Sequence, residues 1–411
     1  MKPDTVAAMS LLSAEAVRQR AHRLLAIGLE DGLAHFRIDL ARLDGAAELV
    51  VETTRKAYPS LDVPFHSRWR HFAVGGQDRW AAIETATPWR NTVDRARAAF
   101  DLAITSVLLD AGAGSLWSYR DAATGARVGR SEGLALASLA MFAAGALSAQ
   151  PESPLRADAK VLETLTSDDL RRHFQASEAN PLAGVDGRAA LLRRLGSTVA
   201  AKPEIFARAD TARPGGLYDH LATLAGGGPI AAPVVLSELL RHLGAIWPSR
   251  LELGGIPLGD CWRHSAMTTD HATSQLVPLH KPSQWLAYSL IEPLQAAGVE
   301  VTAIDGLTGL AEYRNGGLFL DTGVLTLRDV SDAEREHDVG STLVVEWRAL
   351  TVALLDRLAD IVRARLHKNA VSFPLARMLQ GGTWAAGRAI ARARRADGSP
   401  PIEVISDGTV F

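Results

Sequence analysis

Apolar residues fall three and four positions apart along most of this chain, and the two-residue alternation of a half-buried strand is rare. That pattern constrains the chain to a fold built from helices. Residues 13–28 carry Ala16, Leu24, Leu25 and Ile27 at helical spacing among Arg and Glu. Asp44, read as an N-cap, marks the start of a second helix, which must stop before Pro59. Asn91 opens a long one, with Asp94 in its first turn and Gly112 and Gly114 at its end. Ser131 and Glu132 start another, and shorter helices are expected at 167–175, 187–196, 216–225 and 232–245. Pro282 sits at the first position of a helix that Gly298 stops. Long helices are expected at 341–367 and 374–395. Strand signals are brief: a hairpin over residues 115–130 turning at Thr124-Gly125, the runs VEVTAI and LFLDTGVLTL, and the closing PIEVISDGTVF. The expected class is mainly α with small β additions.

At 411 residues the chain has mass for two or three domains. No composition shift divides it sharply. The polar, Pro-bearing interval 149–165 is the candidate boundary, so residues 1–411 are expected as one α-rich unit or as two packed lobes meeting there. A net charge of −2, from 44 basic and 46 acidic residues, leaves no electrostatic footprint for nucleic acid or an anionic membrane. No uncharged run approaches the roughly 18 residues that span a bilayer, and MKPDTVAAMSLL lacks the apolar core of a signal peptide. Cys261 is the sole cysteine, which excludes an internal disulfide and fits a reducing, cytoplasmic compartment.

Chemistry concentrates in LTGLAEYRNGGLFLDTGVL, residues 307–325. Glu312, Tyr313 and Arg314 precede Gly316-Gly317, read as a turn, and Asp321 stands on the extended segment after it. Two carboxylates, a phenol and a guanidinium on one short turn suit a small polar substrate that develops positive charge as it reacts. PFHSRWRHFAVGGQDRW, residues 64–80, offers Arg68 and Arg70 as anion-binding groups and its tryptophans as flat walls; alternatively its arginines pair with nearby acids. LLDAGAG (108–114) and GRSEG (129–133) read as helix punctuation before they read as an anion site. NPLAGVDGRAALLRRLG (180–196) has the outline of a helix-hairpin-helix, but Arg188, Arg193 and Arg194 are its only basic residues, so it reads as structural. RPGGLYDHL (213–221) turns into a helix carrying Tyr218, Asp219 and His220. GDCWRHSAM (259–267) brings Asp260, Cys261, Trp262 and His264. Cys261-x-x-His264 has metal-ligand spacing, with Asp260, Asp270 or His271 in support, yet the companion pair is missing, so neither a metal nor a cofactor is assigned. A Cys261 nucleophile activated by His264 is weighed against a plain buried thiol. HKPSQWLAYSLIEPL (280–294) places Gln284 and Tyr288 one turn apart on a helix face beside Trp285, a ligand-facing set or part of the core. TWAAGRAIARARR (383–395) reads as a solvated helix.

Several of these blocks, with SVLLDAGAG, RSEGLALASLAMF, GDCW and QGGTWAAGR, resemble the uracil catabolism protein 4 family over residues 64 to about 388. That resemblance implies a place in a route that degrades uracil through its nucleotide and ribosylurea species to urea. The pairing of Lys281-x-x-Gln284 with Leu307-Thr308-x-x-Ala311-Glu312-Tyr313-Arg314 is also similar to queuosine salvage hydrolases. Those are helical proteins related in fold to DNA glycosylases, and they cleave an N-glycosidic bond, so the resemblance implies a helical architecture like that of DNA glycosylases and queuosine salvage hydrolases. They carry Asp-Tyr-Arg where this chain has Glu312-Tyr313-Arg314, and the chain departs again after Arg314 with Asn-Gly-Gly.

The resemblances imply a hydrolase that cleaves a ribosylurea, or its 5′-phosphate, with Glu312 as the carboxylate at C1 and Asp321 as its partner or orienter. Tyr313, Asp260 or His264 is the expected donor to the leaving urea. Arg314, Arg68 and Arg70 are expected to hold phosphate, and Trp262, Trp285, Gln284 and Tyr288 to line the pocket. The alternative is a non-catalytic partner of the ring-opening enzyme; a nucleic-acid glycosylase is disfavoured by the charge. The expected ligand is a small molecule, and the oligomeric state is left open, a homo-oligomer included.

Overall fold

A computed structural model describes residues 2–114, 116–207, 211–247 and 251–405. It is 56 % helical with few short strands, so the expected mainly α class with small β additions holds. The longer helices are α1 (Ala14–Leu29), α2 (Leu43–Ala57), α3 (Thr92–Leu108), α4 (Arg130–Ala143), α5 (Val185–Ala200), α6 (Gly216–Ala225), α7 (Ala232–Leu243), α8 (Lys281–Ala296), α9 (Tyr313–Asp321), α10 (Thr342–Leu366) and α11 (Trp384–Arg394). None of the described helices is long and apolar enough to cross a membrane.

The chain forms two compact units. The first gathers the chain up to His66, a stretch ending at Gln284, and the described residues from Ala303 on; the second runs from Ser67 to Trp247 and returns for Trp285–Thr302. The interval 149–165 lies inside the second unit. Its polarity is folded inward: Arg156 and Asp158 are buried and pair at 2.7 Å, and Asp158 accepts from the amide of Ala149 at 2.7 Å.

In the first unit α10 is the axis. It is apolar nearly all round from Leu343 to Leu355, as a helix surrounded by others must be. It packs against α1, α2 and α9, and α9 in turn packs on α11. Ser13 and Ser341 cap α1 and α10 by accepting from the amides of Ala16 and Val344. Asp44 is not a cap: it lies in the first turn of α2. The expected helix at 374–395 is interrupted by a wider π turn over Leu379–Thr383.

Gly316-Gly317 is not a turn. Both residues lie inside α9, and a Cβ on Gly316 would stand 2.6 Å from Nε1 of Trp347 on α10, so glycine is needed for close helix contact. Gly387 of α11 does the same on the other side, where a Cβ would fall 2.2 Å from the Arg314 carbonyl oxygen. The strand expected over 318–327 shrinks to Leu325–Leu327, antiparallel to Phe36–Ile38. Glu403–Ile405 runs parallel to Glu336–Asp338, and the rest of the expected closing strand lies outside the described residues.

The second unit is organised on α3, buried from Ala98 through Leu108 and capped by Asn91. It packs against α4, α5 and α6. Tyr119–Arg120 and Arg127–Val128 form the expected hairpin, whose first residue, Ser115, lies outside the described set. The 180–196 element is structural: Arg188 is buried and donates to the carbonyls of Leu109, Ala111 and Gly112. Burial lowers its pKa to about 10.

Candidate functional site

The first unit brings the two blocks around Lys281 and Glu312 together. The connection begins on a short hairpin, Cys261–Arg263 against Leu276–Pro278. Alternation along it puts Asp260, Trp262 and His264 on one face and Cys261 on the other. Asp260 and Arg348 of α10 are both buried and form a bidentate pair, at 2.9 and 2.8 Å. The Asp260 carboxylate also accepts from Trp262 Nε1 at 2.7 Å and from the Lys281 amide at 2.9 Å. Burial pushes its pKa up, but Arg348 and these donors outweigh it and hold the carboxyl below its ordinary range. Asp260 is therefore an ionised anchor, not a proton donor. Two positions along the hairpin, His264 Nε2 meets Glu346 Oε1 at 3.1 Å, and Glu346 accepts from the amides of Ala34 and His35.

Cys261 faces Ala8, Leu11, Leu258 and Leu276. Burial, then the Asp260 charge, pushes its thiol up to about 12. It is a neutral core group, the plain buried thiol of the two alternatives.

Arg348 reaches further. Its Nε donates to the carbonyl of Ala311 at 3.3 Å, one residue before Glu312. One buried ion pair thus ties the start of α8 to the start of α9. A second tie runs through Gln284, which exchanges hydrogen bonds with Thr308: the Thr308 amide donates to Gln284 Oε1 at 3.1 Å, and Gln284 Nε2 donates to the Thr308 hydroxyl. Gln284 is a fastener, not an open wall.

Glu312 is the N-cap of α9. Its half-buried carboxylate accepts from the amides of Asn315 at 2.6 Å and Arg314 at 2.8 Å. Burial raises its pKa above the ordinary range; those amides and the charges of Lys281 and Arg314 pull it back only in part. Tyr313 follows, 38 % exposed, with the Arg314 guanidinium 4.9 Å from its ring centroid. Arg314 is buried and donates to the carbonyl of Gly398 at 2.9 Å, so its guanidinium is engaged within the fold. Asp321 ends α9, paired bidentately with Arg395 at 2.8 and 2.6 Å. Nine residues of helix put it about 13 Å along the axis from Glu312, too far to orient that carboxylate. This corrects its expected place beside Glu312.

Arg68, Arg70, Trp285 and Tyr288 belong to the second unit. Arg68 is fully buried, paired with Asp110 at 2.8 Å and donating to Ser106 at 2.7 Å. Arg70 pairs with Glu292 at 2.6 Å. Trp285 sits against His71 with ring centroids 5.6 Å apart, and Arg68 lies 5.6 Å from the Trp285 ring. Tyr288 is wholly buried. The alternative in which this loop's arginines pair with acids is the arrangement observed.

Sequence reasoning missed Glu346 and Arg348. Their signal was present: two charges inside TLVVEWRALTVALL, an otherwise apolar helical run, must be paired if buried.

Two relatives match along almost their whole length. "Protein urg3" of Schizosaccharomyces pombe is 38 % identical over 425 residues, covering 100 % of both chains. "Uracil catabolism protein 4" of Lachancea kluyveri is 37 % identical over 409 residues, covering 92 % of each. A family model also matches residues 10–411, and the chain belongs to that family, described as Protein of unknown function (DUF1688).

Proposed function

We propose that this chain is an enzyme of uracil catabolism that hydrolyses the N-glycosidic bond of a ribosylurea, as its 5′-phosphate, to urea and ribose phosphate. The pathway is supported by the relative whose name carries uracil catabolism. The bond-breaking chemistry is supported by one observation: Glu312 is a carboxyl lifted above its usual pKa by burial, under the charge of Lys281, and held by a buried ion pair. Cleaving C1–N builds positive charge on the sugar. An ionised carboxylate beside C1 stabilises that charge or orients the attacking water. Water supplies hydroxide to C1 and a proton to the departing urea nitrogen. Tyr313, at the site's rim, is the group able to relay that proton; His264 is not, since its Nδ1 takes the Ala266 amide and its Nε2 faces Glu346. Lys281 is the cation that meets the phosphate or the urea carbonyl.

The test is urea release from ribosylurea, with and without its 5′-phosphate, by purified protein in a urease-coupled assay. Wild type should release urea and Glu312→Gln should lose at least about 100-fold in turnover. Folded wild type that releases none, or a Glu312→Gln variant at full rate, overturns the reading. One observation favours a second one. The Glu312 carboxylate is already taken by two amides of its own helix, as in a purely structural cap. On that reading the chain is a non-catalytic partner of the ring-opening enzyme, and wild type releases no urea alone.

A further inference from the structure

A second cluster of reactive side chains lies in the second unit, and no step of the proposed reaction uses it. His220 on α6 and His242 on α7 both point their Nε2 atoms at one oxygen of Glu238, at 2.6 and 3.1 Å. The rings meet edge to face with centroids 5.0 Å apart. The donor atoms of all three residues lie within 4.8 Å of one another. Their side chains are 12 %, 14 % and 7 % exposed, so the cluster is enclosed but reached by solvent.

We propose that His220, Glu238 and His242 form a binding site for a divalent transition-metal ion of the zinc class. Two imidazoles and one carboxylate are a ligand set that zinc accepts, with a water completing four-coordination. Nitrogen donors select zinc-class ions over magnesium or calcium, which take oxygen. The spacing is right for a rigid site: Glu238 and His242 are one turn apart on α7, so their side chains share a face. Tetrahedral bonds of about 2.1 Å need donor pairs roughly 3.4 Å apart. The two Glu238 contacts, at 2.6 and 3.1 Å, open to that value with a carboxylate shift of less than about 1 Å, and all three donor atoms already lie within 4.8 Å of one another. Arg241 pairs with the other Glu238 oxygen, Oε1, at 3.1 Å and fixes the carboxylate plane while leaving Oε2 to the metal. Arg241 and Lys202, whose ammonium donates to the His242 carbonyl at 2.9 Å, are the opposing charges beside the cluster. The ion would clamp α6 to α7 across Gly226-Gly227-Gly228-Pro229, a connection with little stiffness of its own.

The test uses the whole chain, stripped with a chelator and titrated with Zn2+ alone by calorimetry. Wild type should take up one equivalent, and His220→Ala and His242→Ala should each weaken it by more than about 10-fold. Circular dichroism checks that each variant is folded. A readout without variants keeps the test decisive: Zn2+ should protect His220 and His242 from diethylpyrocarbonate, followed by mass spectrometry, in wild type. No saturable uptake, uptake unchanged in both variants, or no protection of the two histidines overturns the site and leaves a hydrogen-bonded clasp.

Discussion

Replacing Arg348 by Met tests the frame of the candidate site. The guanidinium is 1 % exposed and Asp260 3 %. The substitution removes two hydrogen bonds to the Asp260 carboxylate, at 2.9 and 2.8 Å, and one to the Ala311 carbonyl at 3.3 Å. Asp260 is left buried with the Trp262 indole and the Lys281 amide as donors. Breaking a buried pair from one side costs about 3–5 kcal/mol. The two remaining donors place the expected loss near the lower end, about 3 kcal/mol. For the first unit melting as one block of roughly 200 residues, at about 2–4 °C per kcal/mol, its melting temperature should fall by roughly 6–12 °C. Adding Asp260→Leu removes the orphaned charge, so the double variant should recover stability relative to Arg348→Met. Turnover in the urea-release assay should not recover with it, because nothing then ties the Lys281 amide and the Ala311 carbonyl to one point. Thermal melts and guanidinium titrations measure the first effect, and kcat measures the second. A single-variant loss under about 1 kcal/mol, or a double variant that regains turnover along with stability, refutes the reasoning.

Glu312 titrates in the opposite sense to Asp260. Its folded pKa lies above 4.5, so the folded state holds the proton more tightly, and the ionised form costs stability above that raised value. The stability of wild type relative to Glu312→Gln should therefore rise as pH falls from neutral toward 4.5, as read by guanidinium denaturation at stepped pH; a flat or falling difference counts against the burial argument. Gly387→Ala should cost about 1–3 kcal/mol, because its methyl would meet the Arg314 carbonyl 2.2 Å away, and an unchanged melting temperature would refute the close packing of α11 on α9. Cys261, with its thiol pushed up to about 12, should resist Ellman's reagent in the native protein and react once guanidinium unfolds it; rapid labelling of native protein would contradict the burial.

The helices were legible because their signals are local. Asn91, Pro59, Gly298 and the apolar spacing of residues 342–366 each act within a turn or two of the backbone they shape. The Gly316-Gly317 error has the opposite cause. A glycine pair reads as a turn when only the chain is seen, but here it answers to Trp347, some thirty positions on. Asp321 failed for the same reason, since a helix in place of a turn moves it about 13 Å from Glu312. The candidate site was half legible. Lys281, Gln284 and Glu312 stood out in their blocks, and the structure joins those blocks through Thr308, Asp260 and Arg348. The joining residues could not be matched from sequence, because a charge buried in one helix gives no sign of which distant segment holds its partner. Glu238 and His242 escaped notice for that reason too, and His220 stood out without its partners.

A buried ion pair is a poor way to stabilise a core, since apolar residues of similar volume do as well or better. What Asp260 and Arg348 provide is direction: fixed hydrogen bonds to the Lys281 amide and the Ala311 carbonyl set the places of two side chains from separate helices. That matters for the proposed reaction because of how Glu312 is held. Burial raises its pKa, so its charged form is under-compensated in the resting site, even with two amides and Lys281 acting on it. A neutral sugar does little to relieve that deficit. An oxocarbenium-like sugar does, because the new positive charge forms in the low-dielectric surroundings where the carboxylate lacks a partner. The interaction is then stronger in the transition state than in the ground state, which is the condition for accelerating the chemical step. The same logic limits the capping amides. They cannot neutralise Glu312 fully without removing the differential, and a site in which they did would show a carboxyl at or below its ordinary pKa, as Asp260 does.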